Sequence, residues 1–432
     1  MTDVVQGAAD VGATASRKIT TRLVLLLFVL FVLSSIDRVN LGFAALQMNE
    51  DLGLSPSEYG LGASIFFVSY LLFQIPSVLL LRRIGLRRWV CLITVAWGTV
   101  AAAMALLNGH TMLYALRFAL GAAEAGYAPG VIYTLGQWLP KRYRGGAIAL
   151  TMIAIPVSVL IGAPLSGALL TLDSVGGIDG WRWMFFLEGL PTIAMGLLCL
   201  RLLVDRPEDA SWLTVGEKDW VRRELAAEEA AAESSGGAAS MMQALLSARV
   251  WASGLVWLSL LAGAYGLIFW LPQAIKQASG LDDFTTSLLS ALPWIGVGIG
   301  MVANARHSDR TGERYLHVGL PAFAAGALLI AAAASPSGPL TLVLLTLAGV
   351  GLGGAQAVFW TVPRSLFAGA AAAGGIAFIN LIGNTSSVVS PWAIGVIREE
   401  TGSFITPVYA IAAILVAGGA LIILLRPRGG AR

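Results

Sequence analysis

Four ionisable residues lie within stretches of sequence that are otherwise apolar enough to cross a membrane. Asp37 and Arg38 follow the run LVLLLFVLFVL, and Arg117 and Glu124 lie in LYALRFALGAAEAGYAPG. A charge inside a bilayer is unfavourable, and where one is found it usually faces the protein interior and takes part in function. Arginine binds carboxylates through two parallel hydrogen bonds and keeps its charge, whereas a buried carboxyl group can take up and release protons. The four residues therefore predict a site for an anion and for protons.

The spacing of Arg117 and Glu124 places them on the same side of a helix. They are seven residues, or two helical turns, apart. We therefore expect the charge state of Glu124 to decide whether Arg117 is paired or free. The alternative is structural, with two ion pairs that lock the first and fourth helices together. We favour the functional interpretation because a buried ion pair is often no more stabilising than apolar packing.

The composition excludes an ordinary soluble protein. Of the 432 residues, 57% are hydrophobic and 12% are charged, against roughly 25% charged in a soluble domain. The mean hydropathy is +0.77. These values predict a polytopic membrane protein embedded in a lipid bilayer. The net charge of +3 is too small to indicate a nucleic-acid partner, and two distant cysteines, Cys91 and Cys199, predict neither a disulfide nor a metal site. We expect no cofactor.

Twelve segments have close to the ~20 residues that a membrane-spanning helix needs. They cover about 20–47, 57–81, 88–107, 112–138, 143–172, 182–203, 250–277, 283–306, 315–334, 340–364, 372–398 and 404–425. Of the 28 lysines and arginines, 23 lie in the termini and in alternate loops, three lie in the opposite loops and two lie within helices. The positive-inside rule then predicts that both termini are cytoplasmic.

The polar segment 205–248 divides these helices six and six. We predict an N-terminal bundle at 1–204, a cytoplasmic linker at 205–248 and a C-terminal bundle at 249–432. Within the linker, we expect a short amphipathic helix around 214–232 that lies on the membrane surface. The halves also repeat a loop motif, because RRIGLRRW at 82–89 aligns with HSDRTGERY at 307–315. Internal repeats of this kind are typical of transporters.

These features resemble a known family. Six plus six helices and the repeated loop motif are similar to the major facilitator superfamily. DRVNLGFA on the first helix, RFALGAAEAGYAPG on the fourth and WRWMFFLEGLP at 181–191 resemble its anion:cation symporter family, which includes bacterial carriers of sugar acids, tartrate, phthalate and 4-hydroxyphenylacetate and is related to sialin and the vesicular glutamate transporters. The resemblance implies an all-α fold of two pseudo-symmetric six-helix bundles. It also implies that Arg38 contacts the substrate carboxylate, Asp37 and Glu124 carry protons, and Arg117 couples the two events.

Further polar and aromatic side chains recur within the predicted helices, mostly in the C-terminal half. We assign them to substrate binding: Tyr70, Gln74, Tyr265, Trp270, Gln273, Trp360, Asn380 and Asn384. The alternatives are packing for Tyr70, anchoring at the membrane interface for Tyr265 and Trp270, and helix–helix hydrogen bonds for the asparagines. A row of amides is unfavourable against lipid unless it meets a partner, which favours the assignment to substrate.

Three classes of function compete. A membrane enzyme would need a nucleophile with its base or clustered metal ligands, and the motifs for these are missing. A sensor would need a signalling domain, for which the linker and tails are too short. A transporter without a phosphate-binding loop is a secondary carrier. We therefore predict proton-coupled uptake of a small organic carboxylate across the bacterial inner membrane by a monomer. A hydroxylated acid such as a sugar acid or tartrate is favoured, and an aromatic carboxylate or anion exchange remains the alternative.

Overall fold

The computed structural model describes residues 2–233, 247–366 and 370–426, without the side chains of 2–10, 231–233, 364–366 and 370–374. Residues 234–246 of the predicted linker and the last six residues of the chain therefore lie outside the description. The helices up to residue 233 are α1 Thr2–Ile19, α2 Leu25–Asp51, α3 Pro56–Ile84, α4 Leu86–Ala103, α5 His110–Glu124, α6 Tyr127–Trp138, α7 Lys141–Met152, α8 Ala154–Leu170, α9 Gly180–Leu202 and α10 Val215–Glu233. The later helices are α11 Ala248–Ser279, α12 Asp283–Leu289, α13 Leu292–Thr311, α14 Tyr315–Ala333, α15 Gly338–Phe359, α16 Thr361–Leu366, α17 Ala370–Thr401 and α18 Ile405–Leu424.

The membrane helices follow the predicted pattern. Within the described residues, ten helical stretches are long and apolar enough to cross a membrane. The fourth predicted span is formed by α5 and α6, which are individually too short, and the eleventh corresponds to α17, whose asparagines and serines make it more polar. Every predicted span thus has a helical counterpart, and the predicted all-α membrane fold is confirmed.

The fourth predicted span is not one continuous helix, contrary to expectation. α5 ends at Glu124, and α6 begins at Tyr127. Between them, Ala125 has extended geometry and Gly126 has a φ of 84°, a left-handed conformation that glycine adopts at little cost. A Cβ on Gly126 would lie 2.5 Å from the Ser77 side chain, so glycine also lets α3 approach closely. The break places Glu124 at the last residue of α5.

The repeated loop motif places a glycine with a positive φ at the aligned position of both halves, although the ψ angles differ, at 163° for Gly85 and −1° for Gly312. Gly85 and Gly312, which the sequence aligns, end α3 and α13 with φ values of 84° and 70°. In the second copy, Arg314 donates to Asp309 at 2.7 Å. The first copy lacks that aspartate, and the Asp205 carboxylate instead accepts from the backbone N–H of Arg87 at 2.9 Å. A carboxylate from the end of α9 thus stabilises the N-terminus of α4.

The linker helix α10 packs against the N-terminal half, and its predicted place at the membrane surface stays a prediction. Lys18 of α1 forms an ion pair with Glu217 at 2.8 Å. Glu228 accepts from the Arg144 side chain at 2.9 Å and from the backbone N–H of Lys141 at 2.5 Å, at the start of α7. These contacts tie the linker to the N-terminal half, so its position depends on specific partners as well as on its amphipathic pattern.

The two halves are hydrogen-bonded to each other at one end of the molecule, which we call the closed end. There Gln47 donates to Asp283 at 2.8 Å, and the Ser55 hydroxyl donates to Glu399 at 2.9 Å. α3 also packs closely along α17, because a Cβ on Gly395 would lie 2.3 Å from the backbone of α3. Among described residues, no hydrogen bond joins the halves at the opposite end.

Candidate functional site

The centre of the site is an ion pair between Arg38 of α2 and Glu124 of α5. The Arg38 Nη2 group donates to Glu124 Oε1, and the Ser34 hydroxyl donates to the same oxygen at 2.6 Å. The Glu124 side chain is fully buried, whereas that of Arg38 is 19% exposed. Arg38 Nε and Glu124 Oε2 have no partner among the described residues. One carboxylate thus holds Arg38, and the remaining N–H groups of the guanidinium can still donate hydrogen bonds to a second anion.

Aromatic rings surround the Arg38 guanidinium. Its central carbon lies 5.1 Å from the ring centroid of Tyr70 and 5.3 Å from that of Phe66, within the range of cation–π attraction. Tyr265, from the C-terminal half, lies within electrostatic range of Arg38 and packs its ring on Phe67 with centroids 4.8 Å apart. The predicted residues Arg38, Tyr70 and Tyr265 therefore meet between the halves.

Arg117 does not form the expected ion pair with Glu124. Its Nε group donates to the carbonyl oxygen of Gly62 at 3.4 Å, and its guanidinium lies 4.7 Å from the ring centroid of Phe66. The side chain is fully buried, and its Nη2 group has no partner in the described part of the chain. Arg38 of α2 pairs with the Glu124 carboxylate instead, and Arg117 remains within electrostatic range of that carboxylate. Both guanidinium groups lie near the Phe66 ring.

Asp37 belongs to a different group of polar side chains from its neighbour Arg38. Its Oδ2 atom accepts from the Thr192 hydroxyl of α9 at 3.1 Å. One turn along α2, the Asn40 amide donates to Glu188 at 2.9 Å, and Ser166 of α8 donates to the other oxygen of Glu188 at 2.7 Å. All these side chains are buried. A second polar cluster therefore lies within the N-terminal half.

The predicted asparagines lie together on α17. The Asn384 amide donates to the side-chain oxygen of Asn380 at 3.0 Å and to its backbone oxygen at 2.8 Å. Asn380 is exposed and Asn384 is partly exposed. Their contacts lie within one helix, so their remaining polar atoms are available to a ligand.

Trp270 and Gln273 lie at the closed end. Trp270 donates to the carbonyl oxygen of Pro391 at 3.2 Å and packs edge-on against Tyr59. Gln273 accepts from Asn49 at 3.3 Å and from Arg398 at 2.8 Å. In this conformation both residues hold the closed end together. Their predicted contact with the substrate stays a prediction for a conformation in which the closed end has opened.

The other two predicted residues lie apart from the central ion pair. Trp360 packs against Trp257 and Phe359, with centroids 5.0 Å and 5.2 Å apart. Gln74 is half-buried one turn beyond Tyr70 on α3, and its backbone oxygen lies near Gly126. Neither residue shares a contact with Arg38 or Glu124.

Comparison with known proteins identifies the family. Residues 27–391 match the family described as Major Facilitator Superfamily. The chain belongs to this superfamily. It is a multi-pass membrane transporter, and the expectation that it is not an enzyme is confirmed by its family.

Its relatives carry the names of transporters. The chain is 43% identical over 416 residues to an Agrobacterium vitis protein named "Putative tartrate transporter", covering 96% of this chain and 92% of that one. It is 37% identical over 403 residues to the "Quinolone resistance transporter" of Acinetobacter baumannii, covering 93% and 92%. Its fold matches the crystal structure of a bacterial homologue of the human lysosomal transporter Spinster, inward-facing and occupied, with a TM-score of 0.76, 17% identity and coverage of 94% and 96%.

Sequence reasoning missed several residues of this transporter's site. Ser34 lies one turn before Arg38 on α2, so helical periodicity places both on one face. Phe66 lies one turn before Tyr70 in the same way. Glu188 stands near the start of the sixth predicted span, where an acidic residue is typical of a helix end, but it lies within α9 and is 4% exposed. For Thr192 the sequence carries no signal, because its contact with Asp37 depends on how α9 packs against α2.

A cavity in the C-terminal half of the transporter lies apart from the Arg38–Glu124 pair. It has a volume of about 800 Å³ and is lined mainly by apolar residues of α11, α14, α15 and α18. Trp270 and Phe404 line it near the closed end. A carboxylate would find little to pair with among these apolar side chains.

Proposed function

We propose that this transporter takes up a small organic carboxylate together with protons, and that Arg38 binds the carboxylate. The observation that carries the proposal is the Arg38–Glu124 pair, in which a partly exposed arginine is held by a fully buried glutamate. Arginine is suited to this role because its planar fork binds a carboxylate through parallel hydrogen bonds.

Glu124 and the substrate carboxylate compete for the same guanidinium. When Glu124 is ionised, it occupies Arg38 together with Ser34. When Glu124 takes up a proton, the pair loses its ionic attraction, and Arg38 is free to bind an external carboxylate. Proton binding and anion binding are then linked at one side chain, so neither the charged arginine nor the charged glutamate has to be left unpaired in the membrane.

Arg117 supports this exchange by its charge. It has no ion pair within the described residues, and it lies within electrostatic range of both Glu124 and Arg38. Its fixed positive charge attracts an incoming anion, and it also stabilises Glu124 when that residue is ionised again. This accounts for the coupling role that the family resemblance implies.

The favoured substrate is a hydroxylated acid such as tartrate or a sugar acid. The Agrobacterium relative bears the name of a tartrate transporter, and the Asn380–Asn384 pair offers amide groups to substrate hydroxyls. An aromatic carboxylate is the second candidate. It is supported by the rings of Phe66 and Tyr70 over Arg38 and by Tyr265 facing them from the other half.

We further propose that the closed end faces away from the cytoplasm. The distribution of lysine and arginine supports this orientation, because the arginine-rich loops at 82–89 and 306–314 lie at the opposite ends of the helices from the closed-end residues. Arg38 is then reached from the cytoplasmic side in this conformation. Opening of the closed end would expose Arg38 to the other side of the inner membrane.

The test is uptake of labelled acids into proteoliposomes with an imposed pH gradient. The panel holds tartrate, a sugar acid, phthalate and an uncharged sugar as the control. We expect accumulation of one carboxylate that collapses when a protonophore is added. Uptake of that acid at the same level without the gradient would contradict proton coupling, and uptake of the sugar alone would contradict the anion site.

A further inference from the structure

Glu188 is a buried carboxyl group for which the proposed mechanism has no use. It lies within α9 and is 4% exposed. Asn40 donates to its Oε2 atom at 2.9 Å, and Ser166 donates to its Oε1 atom at 2.7 Å. Both oxygens therefore receive a hydrogen bond from a neutral donor, as expected for an ionised carboxylate that has been taken out of water.

Asp37 shows the opposite pattern. It is 1% exposed, its Oδ2 atom accepts from Thr192 at 3.1 Å, and its Oδ1 atom has no partner. The side-chain oxygen of Asn40 is also buried without a donor. Asp37 and Asn40 are three residues apart on α2, so their side chains are neighbours on one face of the helix. The Trp97 indole N–H, which has no other partner, also acts on Asp37, but nothing donates to the Asn40 oxygen. A proton on Asp37 would supply that donor.

No cation neutralises these two carboxyl groups. Among described residues, no lysine, arginine or histidine forms an ion pair with Asp37 or Glu188. The nearest arginine in sequence, Arg38, is occupied by Glu124, and the charges of Glu188 and Glu124 both act on Asp37. Two ionised carboxylates buried together without a cation are strongly unfavourable. One of the two groups must hold a proton.

We propose that Asp37 and Glu188 form a carboxyl pair that holds one proton between them, linked through Asn40, so that Glu188 is a further proton-coupling residue of this transporter beside Asp37 and Glu124. The hydrogen-bond pattern fits a proton on Asp37 and an ionised Glu188. Movement of the proton to Glu188 would require the Asn40 amide to turn, so that its oxygen accepts from Glu188 and its NH2 group donates to Asp37. The inference rests on the proposed function, because it adds a proton site to the Arg38–Glu124 exchange.

The test measures the protonated carboxyl groups directly by infrared difference spectroscopy of the purified full-length protein in lipid, with the pH stepped across the titration range. In wild type we expect a band from a protonated carboxyl group that titrates and shifts in D2O. Asp37→Asn should abolish this band. Glu188→Gln should move its midpoint by ~1 pH unit or more, which corresponds to the loss of an interaction of about 1.4 kcal/mol. Glu229→Gln, at an exposed position of α10, should leave the band unchanged.

A second variant keeps the test decisive if Glu188→Gln does not fold. Ser166→Ala removes one donor from Glu188 and should displace the same titration by a smaller amount. An identical midpoint in wild type, Glu188→Gln and Ser166→Ala would overturn the shared proton. Loss of the band on replacing choline chloride by sodium chloride would also overturn it, because the pair would then hold a metal cation.

The infrared test of the carboxyl pair and the uptake test of the proposed function can fail independently of each other. If the band depends on Glu188 but uptake does not depend on the pH gradient, the carboxyl pair is supported and proton-coupled transport is contradicted. If uptake depends on the pH gradient but the band does not depend on Glu188, proton-coupled transport is supported and the carboxyl pair is contradicted.

Discussion

Asp37 and Arg38 are consecutive in the chain, yet they serve two different polar clusters. Arg38 reaches Glu124 of α5, whereas Asp37 accepts a hydrogen bond from Thr192 of α9. This divergence follows from helix geometry, since adjacent residues point about 100° apart. One turn of α2 thereby presents an arginine to one cluster and a carboxyl group to the other.

Arg38→Lys should weaken carboxylate binding sharply. A lysine keeps the positive charge but cannot form two parallel hydrogen bonds to one carboxylate. Loss of one charged hydrogen bond, about 1.5–3 kcal/mol, corresponds to roughly 10–100-fold weaker binding. Titration calorimetry of the purified protein with its substrate measures the change. Arg22→Lys, at an exposed position on the same helical stretch, is the matched control, and equal affinities of the two variants would remove Arg38 from the substrate.

Glu124→Gln should separate accumulation from exchange. The glutamine mimics the protonated acid, so it leaves Arg38 free for substrate but cannot release a proton. We expect uptake driven by a pH gradient to be lost, while counterflow of labelled substrate between equal concentrations continues. Both assays use the same proteoliposomes, with Glu50→Gln at an exposed position at the end of α2 as the control. Accumulation by Glu124→Gln would exclude Glu124 from the proton path, and loss of both activities would make its role structural.

The sequence predicts the fold of this transporter better than it predicts which charged side chains pair with each other. The length and hydropathy of each segment depend on local composition, so all twelve spans could be located before the structure was known. Which carboxylate meets which arginine depends on the rotation and packing of separate helices. Glu124 and Arg117 share a helix face, but Arg38 lies on a helix that reaches Glu124 more directly.

The break in the fourth span has a local but ambiguous signal. Gly126 followed by Pro129 indicates that the span breaks after Glu124, since both residues interrupt helices. The buried cluster around Glu188 has no such signal, because Asn40, Ser166 and Glu188 come from three separate helices. Long-range contacts of this kind cannot be found from spacing along one chain.

Asn384→Ala should change affinity without changing energy coupling. Asn384 is neutral, and its hydrogen bonds run to Asn380 on the same helix. Its removal deletes an amide that we propose binds the substrate but leaves the carboxyl groups of the N-terminal half intact. We expect a several-fold higher KM for the preferred acid, with the remaining uptake still dependent on the pH gradient. Thr385→Ala, at an exposed neighbouring position, is the control, and a loss of gradient dependence in Asn384→Ala would show that the C-terminal half takes part in coupling.

Asp283→Ala should open the closed end more often. Asp283 accepts from Gln47 across the halves at 2.8 Å and pairs with Lys276 at 2.5 Å. Losing about 1.5 kcal/mol of charged hydrogen bonding shifts the equilibrium roughly tenfold. Distances between spin labels at Glu50→Cys and Gln277→Cys, in a background without Cys91 and Cys199, report the opening. Asp282→Ala is the matched control, because Asp282 caps α12 at Thr285. Equal distance distributions for the two variants would contradict the role of Asp283.

Glu313 should stabilise the start of α14 in a pH-dependent way. Its carboxylate accepts from the backbone N–H groups of Leu316 at 2.8 Å and His317 at 3.2 Å, which is the arrangement of a helix cap. Burial alone would raise the pKa of Glu313, but these hydrogen bonds, the His317 ring and the charge of Arg426 bring its pKa below the usual range.

A lowered pKa means that the stabilisation is present above the usual glutamate pKa of about 4.3 and is lost as the pH falls through the lower, folded-state value. Glu313→Ala should therefore lower the melting temperature at pH 7, in line with the roughly 0.5–2 kcal/mol lost when a cap is removed. The difference from wild type should shrink as the pH falls below 4. Melting curves of both proteins in detergent at several pH values measure this, with Glu400→Ala as an unconnected control. A difference that is constant with pH would show that the Glu313 charge contributes nothing to the cap.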